Sequence, residues 1–241
     1  MARLVRHFIE EPRSCAYLPG NQASLEYRLM VNVTPEELES LLLRGWRRFG
    51  PAYFRPACRP CGECISIRLD AGRFVASDSQ KRALRRSRRF RLEIGRPKVD
   101  AQRLELHRLW HATREADRGW EPSALTEEEY GTQFAFPSST GREVAWYDDQ
   151  KLVAISLLDL TRHCVSAAYF FYHPEIARLS PGVGNVMRCV ELANEIGAQH
   201  VYLGYRVEGC ASLQYKGQFR PNEVLGTRPA LTDQPVWTES S

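Results

Sequence analysis

Three groups of residues in this chain could do chemistry. The first follows Val201: Tyr205, Arg206, Glu208, Cys210, Ser212, Gln214, Tyr215, Lys216 and Arg220 lie close together, punctuated by Gly209 and Gly217. Tyrosine and lysine can pass protons, and arginine can fork onto a carboxylate. The second group is sulfur. Cys58, Cys61 and Cys64 form C-x-x-C-x-x-C, a spacing that lets thiolates converge on one soft metal, with Cys15 as the candidate fourth ligand. A structural zinc, an iron–sulfur cluster and metal-free turn cysteines are all open. The third group is charge. From Lys81 to Arg91 there are seven cations and no acid. Lys81, Arg82, Arg85, Arg86 and Arg89 crowd one short stretch, and neighbours of like sign repel. A polyanion best explains such a face, bound through its phosphates without sequence readout.

These groups need elements to hold them. Val201, Leu203 and Tyr205 alternate as in a strand, so the first group begins where a core strand ends, a usual place for a ligand site. Ser77 to Phe90 has helical spacing and carries the basic face. Ile65 to Leu69 is strand-like and carries Arg68 just after the cysteines. Thr34 with Glu37 makes a capping box for a helix whose buried stripe is Leu38, Leu41 and Leu42. GWRRFGPAYFRP then interleaves Trp46, Phe49, Tyr53 and Phe54 with Arg47, Arg48 and Arg55. That pattern suits single-stranded nucleic acid or a strand with one buried aromatic face, and the arginines are the freer clue. A helix from Asp100 to about Asp117 follows. His107 and His111 on it lack the glutamate of a metalloprotease motif and read as surface or packing residues. Thr126 caps another helix. Strands 143–147, 151–160 and 165–172 come next. Ser180 to Gly184 reads as a glycine-rich turn, with Gly182 and Gly184 facing a substrate, before a helix from Asn185 to Ile196 and the strand at Val201.

The order hairpin, strand, glycine turn, helix, strand is that of GNAT-like acyltransferases. The expectation is an α/β (α+β) protein: residues 1–97 form a smaller cysteine-containing, basic α+β part, and residues 98–241 a GNAT-like transferase domain. Leu179 stands where an acetyl-coenzyme A site usually has arginine or glutamine, which weakens that alternative.

Several motifs together resemble the aminoacyl-tRNA–protein transferases: CxYLPGxxA at Cys15, GWRRFG, the cysteine triple, SxSQxR at Ser77, Arg118-Gly119-Trp120, Phe170 to Pro174, and GYxxxxCxxLxYKxxFxP at the C-terminal end. The length and the tail after FRPNEVL look like the bacterial leucyl branch, although an arginyl donor stays open. The resemblance implies transfer of leucine from leucyl-tRNA to protein N-termini beginning with Asp or Glu, which marks those proteins for degradation. No cofactor is needed for that reaction. Tyr205, Tyr215 or Lys216 then becomes the candidate proton donor to the leaving ribose oxygen. Among the arginines in family motifs (Arg28, Arg68, Arg118 and Arg220) and Arg206 beside them, Arg68 and Arg206 are the candidates for the acceptor carboxylate.

Composition sets bounds. The chain has 241 residues, a net charge of +4 and seven cysteines. No apolar run reaches membrane-span length, and the N-terminus has no apolar signal region. A reducing cytoplasm and no membrane partner are the expectation. A metal-containing RNA-binding module is the non-enzymatic alternative.

Overall fold

In the computed structural model, which describes residues 1–118 and 125–240, every strand expected from local alternation is present. The chain opens with β1 (Arg3–Ile9), a small ribbon of β2 (Arg13–Ser14) and β3 (Gln22–Ala23), then β4 (Leu25–Val31) and α1 (Pro35–Leu43). Next come β5 (Arg47–Phe49), β6 (Ala52–Pro56), β7 (Ile65–Asp70), α2 (Asp78–Ser87) and β8 (Arg91–Gly95). Then follow α3 (Ala101–Arg118), α4 (Glu127–Phe134), β9 (Gly141–Asp148), β10 (Lys151–Leu160), β11 (Cys164–Tyr172) and α5 (Pro181–Ile196). The chain closes with β12 (His200–Arg206), α6 (Ala211–Gln214), β13 (Glu223–Leu225) and β14 (Thr238–Glu239). Gly119 and Trp120 of the Arg118-Gly119-Trp120 element lie outside the described residues.

The capping boxes are local and form as the sequence dictates. Thr34, Ser77 and Thr126 each accept a backbone N–H three residues on, and Glu37, Gln80 and Glu129 reach back to the cap N–H.

Two sheets carry most of the strands. The smaller has the order β1-β4-β6-β5, and the larger runs β14-β13-β7-β12-β11-β10-β9-β8. The boundary expected at residue 97 does not coincide with a division between them. β7 pairs with β12 and β13, and β8 pairs with β9, so strands from the first 97 residues complete the large sheet. Hairpin, β11, α5 and parallel β12 follow in the expected acyltransferase-like order.

One face of the large sheet buries Ile67, Leu69, Trp146, Val165, Val201 and Leu203 against α5, with Phe90 beyond α2. The other face packs Ile155, Leu157 and Phe171 on Leu106 of α3 and on Tyr130 and Phe134 of α4. His107 belongs to this packing. It is 2% exposed, stacks on His111 at 4.3 Å, and burial holds its imidazole down to about 4, so it is neutral. The stripe Leu38, Leu41 and Leu42 of α1 joins Trp46, Tyr53 and Tyr202 and ties the small sheet to the large one.

Two readings of the sequence need correction. The glycine-rich segment is no separate turn. Ser180 is left-handed (φ 58°), and the helix begins at Pro181, a residue whose fixed φ and missing N–H suit a first helical position. Two arginines of GWRRFGPAYFRP, Arg48 and Arg55, are not free either. Arg48 forks onto Asp159, Arg55 pairs with Glu26 at 2.7 Å, and Arg47 is buried.

Candidate active site

β11 and β12 pair in parallel only from Cys164/His200 to Ser166/Tyr202. Beyond that point no pairing continues, and the two strands part. β12 bulges against β7 between Tyr202 and Gly204. Gly204 has φ +82°, which a β-branched or bulky residue would not tolerate. Into this fork runs the side chain of Arg47 from β5. It donates to Ser166 Oγ at 3.2 Å and to the Ala167 carbonyl freed by the parting strands. A Cβ at Gly204 would stand 3.3 Å from Arg47 Nε, so glycine is what lets the guanidinium lie there.

The fork opens on a cavity of about 790 Å³. Its walls are aromatic and apolar: Phe49, Phe54, Trp110, Tyr169, Phe170 and Tyr172 contribute, and Tyr17 enters from the Cys15 motif. Its charged lining is Arg47, Arg114 and Lys216; no Asp or Glu lines it among the described residues. Arg114 lies over the Trp110 ring at 4.2 Å and donates to the Tyr172 hydroxyl at 3.4 Å. The N-terminus of α5 closes one end through Pro181, Gly182 and Val183. Ser180 gives that helix no side-chain cap, so its first N–H groups and dipole face the cavity.

Lys216 donates from Nζ to the Tyr205 carbonyl at 3.2 Å. Burial, and next the Arg47 charge, bring its ammonium down to about 7. Tyr215 shifts the other way: burial pushes its phenol up to about 12, so it keeps its proton. A Cβ on Gly182 would lie 3.7 Å from the Tyr215 hydroxyl, which places that hydroxyl at the α5 N-terminus. Tyr205, the third candidate, is differently employed. It is 8% exposed and donates to the Gly45 carbonyl at 2.8 Å, holding the β5 entry to β12.

The other expected residues separate. Gly182 lines the cavity, whereas Gly184 permits helix packing: a Cβ there would sit 3.1 Å from the Ser87 Cβ of α2. Arg206 does not line the cavity; its side chain runs along Gly217, where a Cβ would meet Cδ at 3.0 Å. Arg68 is committed elsewhere. It donates to Glu223 at 2.6 Å and to the Tyr202 hydroxyl at 3.2 Å, and lies over Trp237 at 4.4 Å. The acceptor role expected for Arg68 therefore gives way to a role in tying β7 to β13 and the tail. Arg68→Met should cost roughly 2–3 kcal/mol in urea unfolding by stranding Glu223, with activity per folded molecule unchanged. A loss of activity at unchanged stability would reverse that assignment.

The cysteines gather but do not close. Tyr17 and Leu18 donate backbone N–H groups to Cys15 Sγ at 3.4 Å each, and Ser24 does the same to Cys58. Burial, and then the charges of Cys58, Cys15 and Cys61, push the Cys64 thiol up to about 12. Yet no group of three or more His, Cys, Asp or Glu among the described residues is set to hold one metal ion. Sulfur of the right type is present among the described residues without the geometry.

On α2, Arg82, Arg85 and Arg86 are exposed and make no ion pair among the described residues. Lys81 reaches Asp78 at 3.8 Å, and Arg89 reaches Asp148 at 3.1 Å. Among the described residues, no helix is long and apolar enough to cross a membrane.

Arg47, Arg114 and Tyr17 are the site residues that sequence reading did not assign. For Arg47 the signal was its place in GWRRFG; nothing marked it apart from Arg48.

Comparison with known proteins finds family models over two segments of the chain. Residues 13–82 match the model of the arginine-tRNA-protein transferase N terminus, and residues 102–226 that of its C terminus. A protein from Helicobacter hepaticus named aspartate/glutamate leucyltransferase is 33% identical over 98% of both chains. One of the same name from Campylobacter jejuni is 30% identical, covering 92% of this chain and 94% of that one. A solved structure of L-PGS from Bacillus licheniformis superposes with a TM-score of 0.47 at 11% identity, over 80% of this chain and 70% of that one. With matched segments at both ends and relatives alike over nearly their whole length, the chain belongs to the arginine-tRNA-protein transferase family.

Proposed function

We propose that this protein transfers leucine from leucyl-tRNA to the N-terminal Asp or Glu of acceptor proteins, marking them for degradation. One observation carries the choice of donor: among the described residues the cavity has two arginines and a lysine, apolar and aromatic walls, and no acid. An arginyl side chain would enter as a further cation beside Arg47 and Arg114 with no acid in the lining, whereas leucine meets apolar wall. The names of the relatives support the same donor and acceptors.

The reaction is aminolysis of an ester. The acceptor amine attacks the carbonyl carbon, a C–N bond forms, and the C–O bond to the ribose breaks. The α-amine titrates near 8, and a cavity of like charge favours its neutral, nucleophilic form. Neutral Lys216 takes the proton that the amine sheds on attack. The uncapped N–H groups of α5 face the developing oxyanion. Tyr215, protonated beside them, donates to the departing ribose oxygen. Burial thus brings Lys216 down to about 7 and pushes Tyr215 up to about 12, which suits them to the roles of base and acid. The arginines of α2 take the tRNA phosphates outside the cavity.

The test supplies [14C]leucyl-tRNA and [14C]arginyl-tRNA with peptides beginning Asp, Glu, Arg or Ala. Leucine should appear on the Asp and Glu peptides only. Arginine transfer to the same peptides would make the donor arginine. Coenzyme A binding, or tRNA binding indifferent to its charge and without transfer, would end the proposal.

A further inference from the structure

We infer that Arg47 is the residue that selects acidic acceptors, by receiving the side-chain carboxylate of the acceptor's first residue in the fork between β11 and β12. The inference rests on the transfer reaction above and names the part of the cavity that reads the acceptor.

Four observations carry it. Arg47 is 8% exposed yet forms no ion pair with a carboxylate among the described residues. Buried arginines ordinarily have one, because an unpaired buried charge is costly. The acid nearest in kind, Asp159, is already held by both the Nε and an Nη of Arg48 and by the Thr140 hydroxyl at 2.8 Å. Ser166 and Ala167 occupy two of the five guanidinium N–H groups, leaving three without a protein partner among the described residues. Finally, the side chain is held by its two hydrogen bonds, and Gly204 leaves room beside it, which preorganises the fork for a planar ligand.

Carboxylate is the favoured occupant over a tRNA phosphate. Arg47 lies inside an apolar cavity, walled by Phe49 and Phe54, beside Lys216, whose ammonium it depresses. There an acceptor's carboxylate would sit one side-chain length from its own α-amine, and so from the base. The unpaired arginines of α2 are outside and open to phosphate. An acceptor with Asn or Gln in place of Asp or Glu would strand the Arg47 charge.

The experiment measures kcat and KM for peptides beginning Asp and Asn, together with the Kd for leucyl-tRNA, in the wild type, Arg47→Met, Arg47→Lys and Gly204→Ala. Arg47→Met should raise KM for the Asp peptide by about tenfold or more and bring the Asp and Asn peptides level. The leucyl-tRNA Kd should stay within about twofold. Arg47→Lys keeps the charge without the fork and should fall between, and Gly204→Ala should imitate it by displacing the guanidinium. If Arg47→Met fails to fold, the Lys and Ala variants carry the same comparison. An unchanged Asp-to-Asn preference overturns the inference, and so does a parallel loss of leucyl-tRNA affinity, which would give Arg47 to a phosphate. A wild type that transfers no leucine fails earlier, at the proposed function.

Discussion

Lys216→Met is expected to slow leucine transfer by about a hundredfold or more, the usual worth of a positioned proton acceptor. The variant should fold, since Met fills the same volume against Tyr205 and loses one hydrogen bond to its carbonyl. The shape of the pH profile separates base from mere charge. Lys216 stands at about 7 in the folded protein, so the wild-type rate should climb through that pH as the amine loses its proton. Lys216→Arg keeps a cation that cannot ionise near neutrality and should fail as badly as Met. An arginine variant with near-normal activity would make the charge, not the proton, the requirement. Stability gives an independent reading. The ordinary value of this lysine is 10.5, so between about 7 and 10.5 the unfolded chain holds a proton that the folded chain lacks. Lys216 therefore makes the protein more stable as pH rises through that window, and Lys216→Met should flatten the rise.

How much of this could be read from residues alone depends on how local the cause is. The capping boxes at Thr34, Ser77 and Thr126 are three-residue devices, and each starts its helix as spaced. Pro181 to Gly184 misled for the opposite reason: two glycines signal a turn, but proline at the first position and the packing of Gly184 on Ser87 make it helix. Tyr215 and Lys216 share one polar segment after β12, and both line the cavity. The arginines were not sorted, because an arginine's role is set by which acid the fold puts opposite it. Arg68 meets Glu223, 155 residues away, and becomes structural. Arg48 meets Asp159, 111 residues away. Arg47, its neighbour in sequence, faces the other way into a fork that exists only because β11 and β12 part after Ser166. No spacing in the sequence encodes that parting. The four cysteines show the same limit: C-x-x-C-x-x-C brings thiols near one another without fixing that they converge.

Charge reversal on α2 should have the other large effect. Arg82, Arg85 and Arg86 are exposed, and none has an acid to answer it among the described residues. The helix itself is firmly placed: Ala83 and Ser87 are buried, and Gly184 lets α5 lie against Ser87. Because α5 also supplies the helix end that closes the cavity, a polyanion held on α2 is held in fixed relation to the reacting end. Changing all three to Glu leaves the buried side of α2 untouched, so the fold should survive. Leucyl-tRNA binding should weaken by roughly a hundredfold at moderate salt. Each lost phosphate contact also removes about 0.7–0.9 from the slope of log K against log salt, so the slope should flatten by about two to three. Arg88 and Arg89 provide the comparison. They already meet Glu191 at 2.6 Å and Asp148 at 3.1 Å, so reversing that pair should move the slope less. Transfer should recover when leucyl-tRNA is raised toward saturation, since these arginines hold the donor and take no part in the bond exchange. A slope unchanged by the triple variant, or a loss in kcat that saturating donor does not restore, would take the tRNA off this face and leave the acid-free run to be explained by the fold.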